Sequence, residues 1–300
     1  MELRDKVVLV TGANGFVGTY VIQRLLTEGM RVRALVRRLD ARAKLEQLGV
    51  KTILGELTDA RAREDALRGA HCVVHAAASA SSDLAEARQV NVQATASLAE
   101  AALASGCERF VHLSTVAVYP LRSREGVVDE ASPLTTKTEG DAYATSKAEA
   151  ERALHAVASQ GLRTVILRPA VILGVHPSST WGTVFPPYIA AGKFPHVEKG
   201  QTSMGYLHIS SLTEAVVRSL RVDEAAGQTF NILDGHVPWH RYTAFFTQEP
   251  LPSHSPEQVP EFLSFRGSFS VEKAQRVLGF APRETFESSM EEIVRALPKP

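Results

Sequence analysis

The stretch Val7-Val8-Leu9-Val10-Thr11-Gly12-Ala13-Asn14-Gly15-Phe16-Val17-Gly18 decides how this chain is read. Its apolar run reads as a buried strand, and the residues from Phe16 through Leu26 continue with helical apolar spacing. The glycines therefore occupy a strand–turn–helix. Glycine lets the chain turn sharply there and lets backbone amides approach a pyrophosphate, which the positive end of the helix also attracts. Such turns also join strands to helices for purely structural reasons, and the Gly12-Gly15-Gly18 spacing differs from the G-x-G-x-x-G form. The flanking elements must carry the inference further.

Outward from this unit, strand-like and helix-like segments alternate as far as residue 175. Arg31 to Val36 reads as a strand, Ala41 to Leu48 as a helix, Lys51 to Leu57 as a strand and Ala60 to Arg68 as a helix. Cys72-Val73-Val74-His75 begins a fourth strand, followed by one long helix from Leu84 to Ser105. Phe110 to Leu113 is a fifth strand, and a helix bearing Tyr143 leads to a sixth, Thr164 to Leu167. Strands separated by helices require crossover connections, hence a parallel sheet covered on both faces. The expected fold class is α/β, a Rossmann-type doubly wound parallel sheet.

After Pro169 the pattern loosens. A short helix is expected near Val184 to Ala191, a helix at Leu212 to Leu220 and a strand at Thr229 to Leu233 returning to the sheet. Five of the fifteen prolines fall between Pro238 and Pro260, which leaves that stretch mostly loop. Helical spacing resumes in Val271 to Leu278 and near Phe286 to Ala296. The expected organisation is a dinucleotide-binding domain over 1–175, rejoined by 206–235. Residues 176–205 and 236–300 would form a small C-terminal substrate-binding lobe at the strand ends, where open α/β sheets take ligands.

Composition narrows the function. Thirty-three basic residues balance thirty-three acidic ones, so no global field recruits nucleic acid or an anionic membrane. No apolar run approaches membrane-spanning length and the first residues run into a strand, so the expected compartment is cytoplasmic. Cys72 and Cys107 read as reduced packing residues, and none of the ten histidines has metal-ligand spacing, so no metal is expected.

Tyr143-Ala144-Thr145-Ser146-Lys147 places a phenol and an ammonium at i and i+4, on one helical face. A nearby cation favours phenolate, which would let the tyrosine trade a proton near neutral pH. The same spacing on an ordinary helix is a surface pair. Glycine turn and Tyr–Lys pair, in this order, resemble the extended short-chain dehydrogenase/reductase family, in its epimerase/dehydratase and 3-beta-hydroxysteroid dehydrogenase-like branch. The similarity runs through Leu54-Gly55-Glu56-Leu57, His75-Ala76-Ala77-Ala78, Asn91, Leu113-Ser114-Thr115, Leu167-Arg168-Pro169, Leu207-His208, Phe230-Asn231-Ile232 and Leu278-Gly279-Phe280.

The resemblance implies roles for particular residues. Tyr143 would exchange the proton, Lys147 would lower its pKa and bind the nicotinamide ribose, and Thr115 would hold the substrate oxygen, supported by Ser114. Asn91 would act in structure or proton relay. Gly12, Asn14, Gly15, Phe16, Val17 and Gly18 would cradle the pyrophosphate of the cofactor. Glu56 and Leu57 would lie at adenine, although Glu56 stands where the family has aspartate. Ala76, Ala77, Ala78, Pro169, Ala170 and Val171 would line the cofactor. Ser79, Trp181, Phe185 and Tyr206 would face substrate, the aromatics being either lobe core or pocket lining.

Two features choose among members of such a family. Arg37 and Arg38 follow the second strand, where an acid would bind the 2′-hydroxyl of NAD and arginine pairs with the 2′-phosphate of NADP. NADP(H) is expected over NAD(H). Val116 and Ala117 follow Thr115 where the nucleotide-sugar dehydratases carry Asp-Glu, and Pro169-Ala170-Val171 supplies no amide for a sugar diphosphate. The expected reaction interconverts an apolar ketone and its secondary alcohol, a small-molecule substrate. The alternatives are a nucleotide-sugar epimerase and a non-catalytic dinucleotide sensor or scaffold. Alanines on two helices (Ala96, Ala99, Ala102; Ala144, Ala148, Ala156) suggest a homodimer through paired helices.

Overall fold

The computed structural model describes residues 1–136 and 141–298. By internal contacts the chain divides into two compact units, Met1–Val118 with Thr135–Arg168 and Thr213–Phe230, and Tyr119–Leu134 with Pro169–Leu212 and Asn231–Pro300.

Unit one is built on the alternation. Its strands are β1 (Val7–Thr11), β2 (Arg31–Val36), β3 (Lys51–Leu54), β4 (Cys72–His75) and β5 (Arg109–Leu113). After the two-residue β6 (Val127–Val128) come β7 (Thr164–Pro169) and, much later, β10 (Gln228–Ile232). The seven-stranded sheet runs β3-β2-β1-β4-β5-β7-β10, and the ladders from β3 through β7 are parallel. Chain order reverses between β1 and β4, the switch point at which such sheets bind ligands. The helices of this unit are α1 (Phe16–Thr27), α2 (Leu39–Gln47), α3 (Ala60–Leu67), α4 (Leu84–Arg88), α5 (Ala94–Ala104) and α6 (Ala142–Ala158), with α8 (Ile209–Arg221) spanning the boundary between the units.

One core of this unit gathers Leu9, Val73, Phe110 and Ile166 of the sheet with Ala66 of α3, Leu98, Ala99 and Ala102 of α5, and Leu154 of α6. The alanines offered by the sequence for a two-fold contact are largely used here. Ala99, Ala102 and Ala148 are fully buried within the chain itself, because their short side chains let α5 pack against α6 and the sheet.

Unit two holds a sheet that the sequence reading did not contain. β8 (Val171–Leu173) pairs parallel with β9 (Ser203–His208), which pairs antiparallel with β11 (Gly235–Pro238). Residues 206–208, expected to rejoin the large sheet, are the end of β9 instead. β6, inside a segment expected to belong to the first domain, pairs with β12 (Ser268–Phe269) of unit two. The remaining helices are α7 (Phe185–Ala190), α9 (Trp239–Thr243), α10 (Glu272–Leu278) and α11 (Phe286–Ala296). Among the described residues no helix is long and apolar enough to cross a membrane.

Candidate active site

The glycine turn shows two kinds of glycine. A Cβ on Gly12 would stand 2.7 Å from the Ala76 carbonyl and the Ala77 nitrogen, and one on Gly18 would stand 2.1 Å from the Gly12 oxygen. Gly12 is closed by the backbone that follows β4, and Gly18 by the backbone of the glycine turn itself. A Cβ on Gly15 would meet only the Gly12 oxygen, at 3.4 Å, so the chain leaves room there. Gly15 caps α1 without a side chain and no acid lies in the first turn, whereas α3, α4 and α6 are capped by Asp59, Asp83 and Asp141. Gly15 thus opens α1 with no capping side chain of its own, and the turn leaves room at that residue, which fits a dinucleotide pyrophosphate.

The other expected cofactor positions of unit one follow successive strands. Arg37 and Arg38 come after β2, Glu56 and Leu57 after β3, and Ala76, Ala77, Ala78 and Ser79 after β4. Asn14, Arg37, Glu56 and Ala78 are exposed, while Phe16 is buried and Val17 half-buried. Arg38 is held in a bidentate pair by Asp40, at 2.9 and 2.7 Å, so the first acid beyond β2 already engages one of the two arginines. Glu56 accepts from the Thr58 hydroxyl at 3.3 Å.

Tyr143, Lys147 and Glu151 lie on one face of α6, each a turn apart. Lys147 is buried, and its Nζ donates to the Leu113 carbonyl at 2.7 Å and lies 3.1 Å from His112 Nε2. Burial lowers its pKa to about 8, against the countering charge of Glu151. Tyr143 is half-buried, and desolvation together with Asp141 pushes its phenol up to about 12. Both causes act upward, opposite to the lowering expected from Lys147. Thr115, half-buried just beyond β5, accepts from the Ala117 amide at 3.1 Å.

Asn91 interrupts what the sequence suggested was one helix. Residues Gln89–Gln93 form a π-helical turn between α4 and α5, which leaves the buried Asn91 side chain to bond elsewhere. Its Oδ1 accepts from the Ser79 amide at 2.7 Å, and its Nδ2 donates to the Ser79 carbonyl and to Ser146 Oγ, both at 2.9 Å. Ser146 in turn donates to the Tyr143 carbonyl at 3.0 Å. Asn91, Ser79 and the Tyr–Lys helix are thereby locked together.

Two residues of this cluster escaped the sequence reading. Glu151 takes a buried ion pair from Arg168, with contacts of 2.6, 3.0 and 3.2 Å, and accepts from the Ser114 hydroxyl. Its i+8 spacing from Tyr143 was the available signal. His112 lies in a strand, where the sequence offers only a packing or hydrogen-bonding histidine, and nothing in it signals that the partner is Lys147.

In unit two, Pro169 and Ala170 are buried, the Ala170 amide donating to the Ile232 carbonyl at 3.1 Å, and Val171 is half-buried at the start of β8. Tyr206 lies in the core of this unit with its ring 5.2 Å from Phe286. Trp181 and Phe185 pack on the same core, 4.8 Å apart and each half-buried. The structure therefore uses Tyr206 as core and leaves only Trp181 and Phe185 of the three with an accessible side.

Residues 8–232 match the NAD dependent epimerase/dehydratase family. The 4-hydroxy-2-methyl-3-oxo-4-farnesyl-3,4-dihydroquinoline-1-oxide ketoreductase of Stigmatella aurantiaca is 31% identical over 232 residues, 75% of this chain and 67% of that protein. A 3-beta-hydroxysteroid dehydrogenase of Mycolicibacterium neoaurum is 27% identical over 95% of this chain and 89% of its own. Among solved structures, DesIV, a dTDP-glucose 4,6-dehydratase of Streptomyces venezuelae with NAD and TYD bound, superposes with a TM-score of 0.82. It is 25% identical, and the match covers 96% of each chain. With the glycine cradle, the parallel sheet and the Tyr–Lys helix in place, the chain is an enzyme of the NAD dependent epimerase/dehydratase family, of the extended short-chain dehydrogenase/reductase type.

Proposed function

We propose that this enzyme interconverts an apolar ketone and its secondary alcohol, using NADP(H). The observation that carries this reading is the turn after Thr115, where Val116 is buried and Ala117 half-buried, so hydrocarbon stands where elimination chemistry would need an acid and a base. Support comes from the similarity to a ketoreductase and a hydroxysteroid dehydrogenase. The accessible sides of Trp181 and Phe185 suit an apolar substrate.

The residues divide the work as follows. The bound dinucleotide supplies or accepts a hydride. Gly12, Gly15 and the first amides of α1 hold its pyrophosphate, and Arg37 with Arg38 selects the 2′-phosphate. Thr115 orients the substrate oxygen by hydrogen bond. Tyr143 carries its proton across the neutral range, the form needed to protonate an oxygen that gains charge during reduction. Lys147 holds positive charge close to that event in a dry setting where charge counts most. Asn91 and Ser146 fix the α6 turn that presents both groups.

Reduction of a graded ketone panel by NADPH tests the reading. Rates rising with substrate hydrophobicity, with no competition from UDP- or TDP-sugars, support it. Competition by such a sugar at micromolar concentration would move the protein to nucleotide-sugar epimerisation, and no turnover with any ketone or sugar would move it to a dinucleotide sensor.

A further inference from the structure

The lysine of the Tyr–Lys pair has a buried partner with no place in the steps above. An ammonium offers three N–H groups and no lone pair. With Lys147 Nζ 3.1 Å away, His112 Nε2 must accept, which puts the imidazole proton on Nδ1. That Nδ1 is buried and has no hydrogen-bond partner among the described residues. An unpaired buried donor is costly and rarely kept. The ring orientation is therefore set by what the other nitrogen does.

The ring is also clamped. His75, its register partner on β4, stacks against it with centroids 5.3 Å apart and planes at 30°. His75 is itself held by Thr11 Oγ1 at 2.6 Å and Thr95 Oγ1 at 2.8 Å. Thr11 is the residue before Gly12, so this stack runs from the glycine turn to the lysine. Burial, Lys147 and His75 keep His112 neutral, well below the usual histidine range.

We propose that His112 is a positioning residue for Lys147: its Nε2 lone pair, clamped by the His75 stack, aims the ammonium and leaves one N–H for the reacting side. The proposal rests on the reading of Tyr143 and Lys147 as the proton-transfer pair. The titratable and charged groups around them are Tyr143, Asp141 and Glu151 of the α6 segment, Arg168 of β7 bound to Glu151, and His75 of β4. Glu151 favours the charged lysine through space, and His112 does so through a hydrogen bond.

Three variants separate positioning from packing. His112→Gln carries an amide oxygen close to where the Nε2 lone pair lies, His112→Asn places its amide near Nδ1 and short of the lysine, and His112→Leu removes both. In ketone reduction the Leu and Asn variants should lose kcat by about 10- to 100-fold and raise KM for NADPH, because the same ammonium is expected at the nicotinamide ribose. Their alkaline limb should move to lower pH, and Gln should restore both rate and profile. In ligand-free wild type labelled with 15N-histidine, His112 should show the Nδ1–H tautomer, and Lys147→Met should shift its Nε2 resonance. Wild-type kcat and pH profile in folded His112→Leu, or an Nε2–H tautomer in wild type, would overturn the proposal. Should Tyr143→Phe keep full activity, the catalytic reading fails, while the tautomer measurement still decides the His112–Lys147 contact.

Discussion

Glu151→Gln removes one formal charge from the most enclosed ion pair among the described residues and takes from the buried Arg168 the Glu151 carboxylate it is paired with. The carboxylate takes three contacts from Arg168 and one from Ser114, with side-chain exposures of 0% for Glu151 and 4% for Arg168. A glutamine keeps the shape but turns an amide donor toward a guanidinium that has only donors. Breaking one side of such a pair costs about 3–5 kcal/mol. With an m-value of about 3–4 kcal/mol/M for a chain of this size, the urea midpoint should fall by about 1 M. Replacing both partners, Glu151→Leu with Arg168→Met, leaves no orphan charge and should recover most of that loss. Urea unfolding followed by tryptophan fluorescence and by far-ultraviolet circular dichroism on Glu151→Gln measures the loss, and the same on wild type, Glu151→Leu, Arg168→Met and their double gives the coupling directly. A loss under about 1 kcal/mol in Glu151→Gln, or a double variant no better than the worse single, would show that water reaches the pair and refute the reasoning.

Tyr143→Phe keeps the ring and loses the proton, so ketone reduction should fall by about 10²-fold or more while dinucleotide affinity, read by titration, stays near wild type. Replacing Arg37 and Arg38 together with alanine should weaken NADP binding by at least about tenfold and leave NAD binding nearly unchanged. Asp40→Ala, which releases Arg38 from its present partner, should widen the preference for NADP, and equal wild-type affinities for the two dinucleotides would remove the assignment. Burial holds His75 down to about 3 against an ordinary 6.5, with Lys147 adding to the shift. Between those values the unfolded chain binds a proton that the folded one refuses, so stability should be lost as the pH drops through that window, by ~1.4 kcal/mol per pH unit from this group. His75→Gln should flatten that slope in equilibrium unfolding, and an unchanged slope would show that another group controls it.

The first unit was legible because its signals are local. Four consecutive apolar residues ending in a glycine turn fix β1 and α1, and the following strands are short apolar segments, fully buried in β4, β5 and β7. The i, i+4 spacing of Tyr143 and Lys147 survives in α6 because nothing in Ala142–Ala158 competes with a helix. The second unit was not legible, because its sheet is made by distant pairing of weak strands. Gly235–Pro238 contains a glycine and a proline and becomes a strand only against β9, some thirty residues earlier. Likewise α8 begins at Ile209 rather than Leu212, since the His208 ring accepts from the Ser210 amide at 3.3 Å and opens the helix sooner. In the site, residue types were readable and contacts were not. His112 meets Lys147 across 35 positions of sequence, and Arg38 meets Asp40 where an open cation was expected.

The π-helical turn at Gln89–Gln93 has a consequence for how this gene tolerates change. A wide turn holds one residue more than a regular helix needs, so deleting a single residue there would let α4 and α5 fuse into one unbroken cylinder. The deletion would mend the backbone geometry and yet swing the segment before it by about 100° relative to the segment after it. Asn91 would then point away from Ser146 and Ser79, and α6 would lose its brace. Length in this segment is thus under tighter constraint than residue identity. Libraries that substitute within Gln89–Gln93 should keep folded, bindable protein far more often than libraries that shorten it.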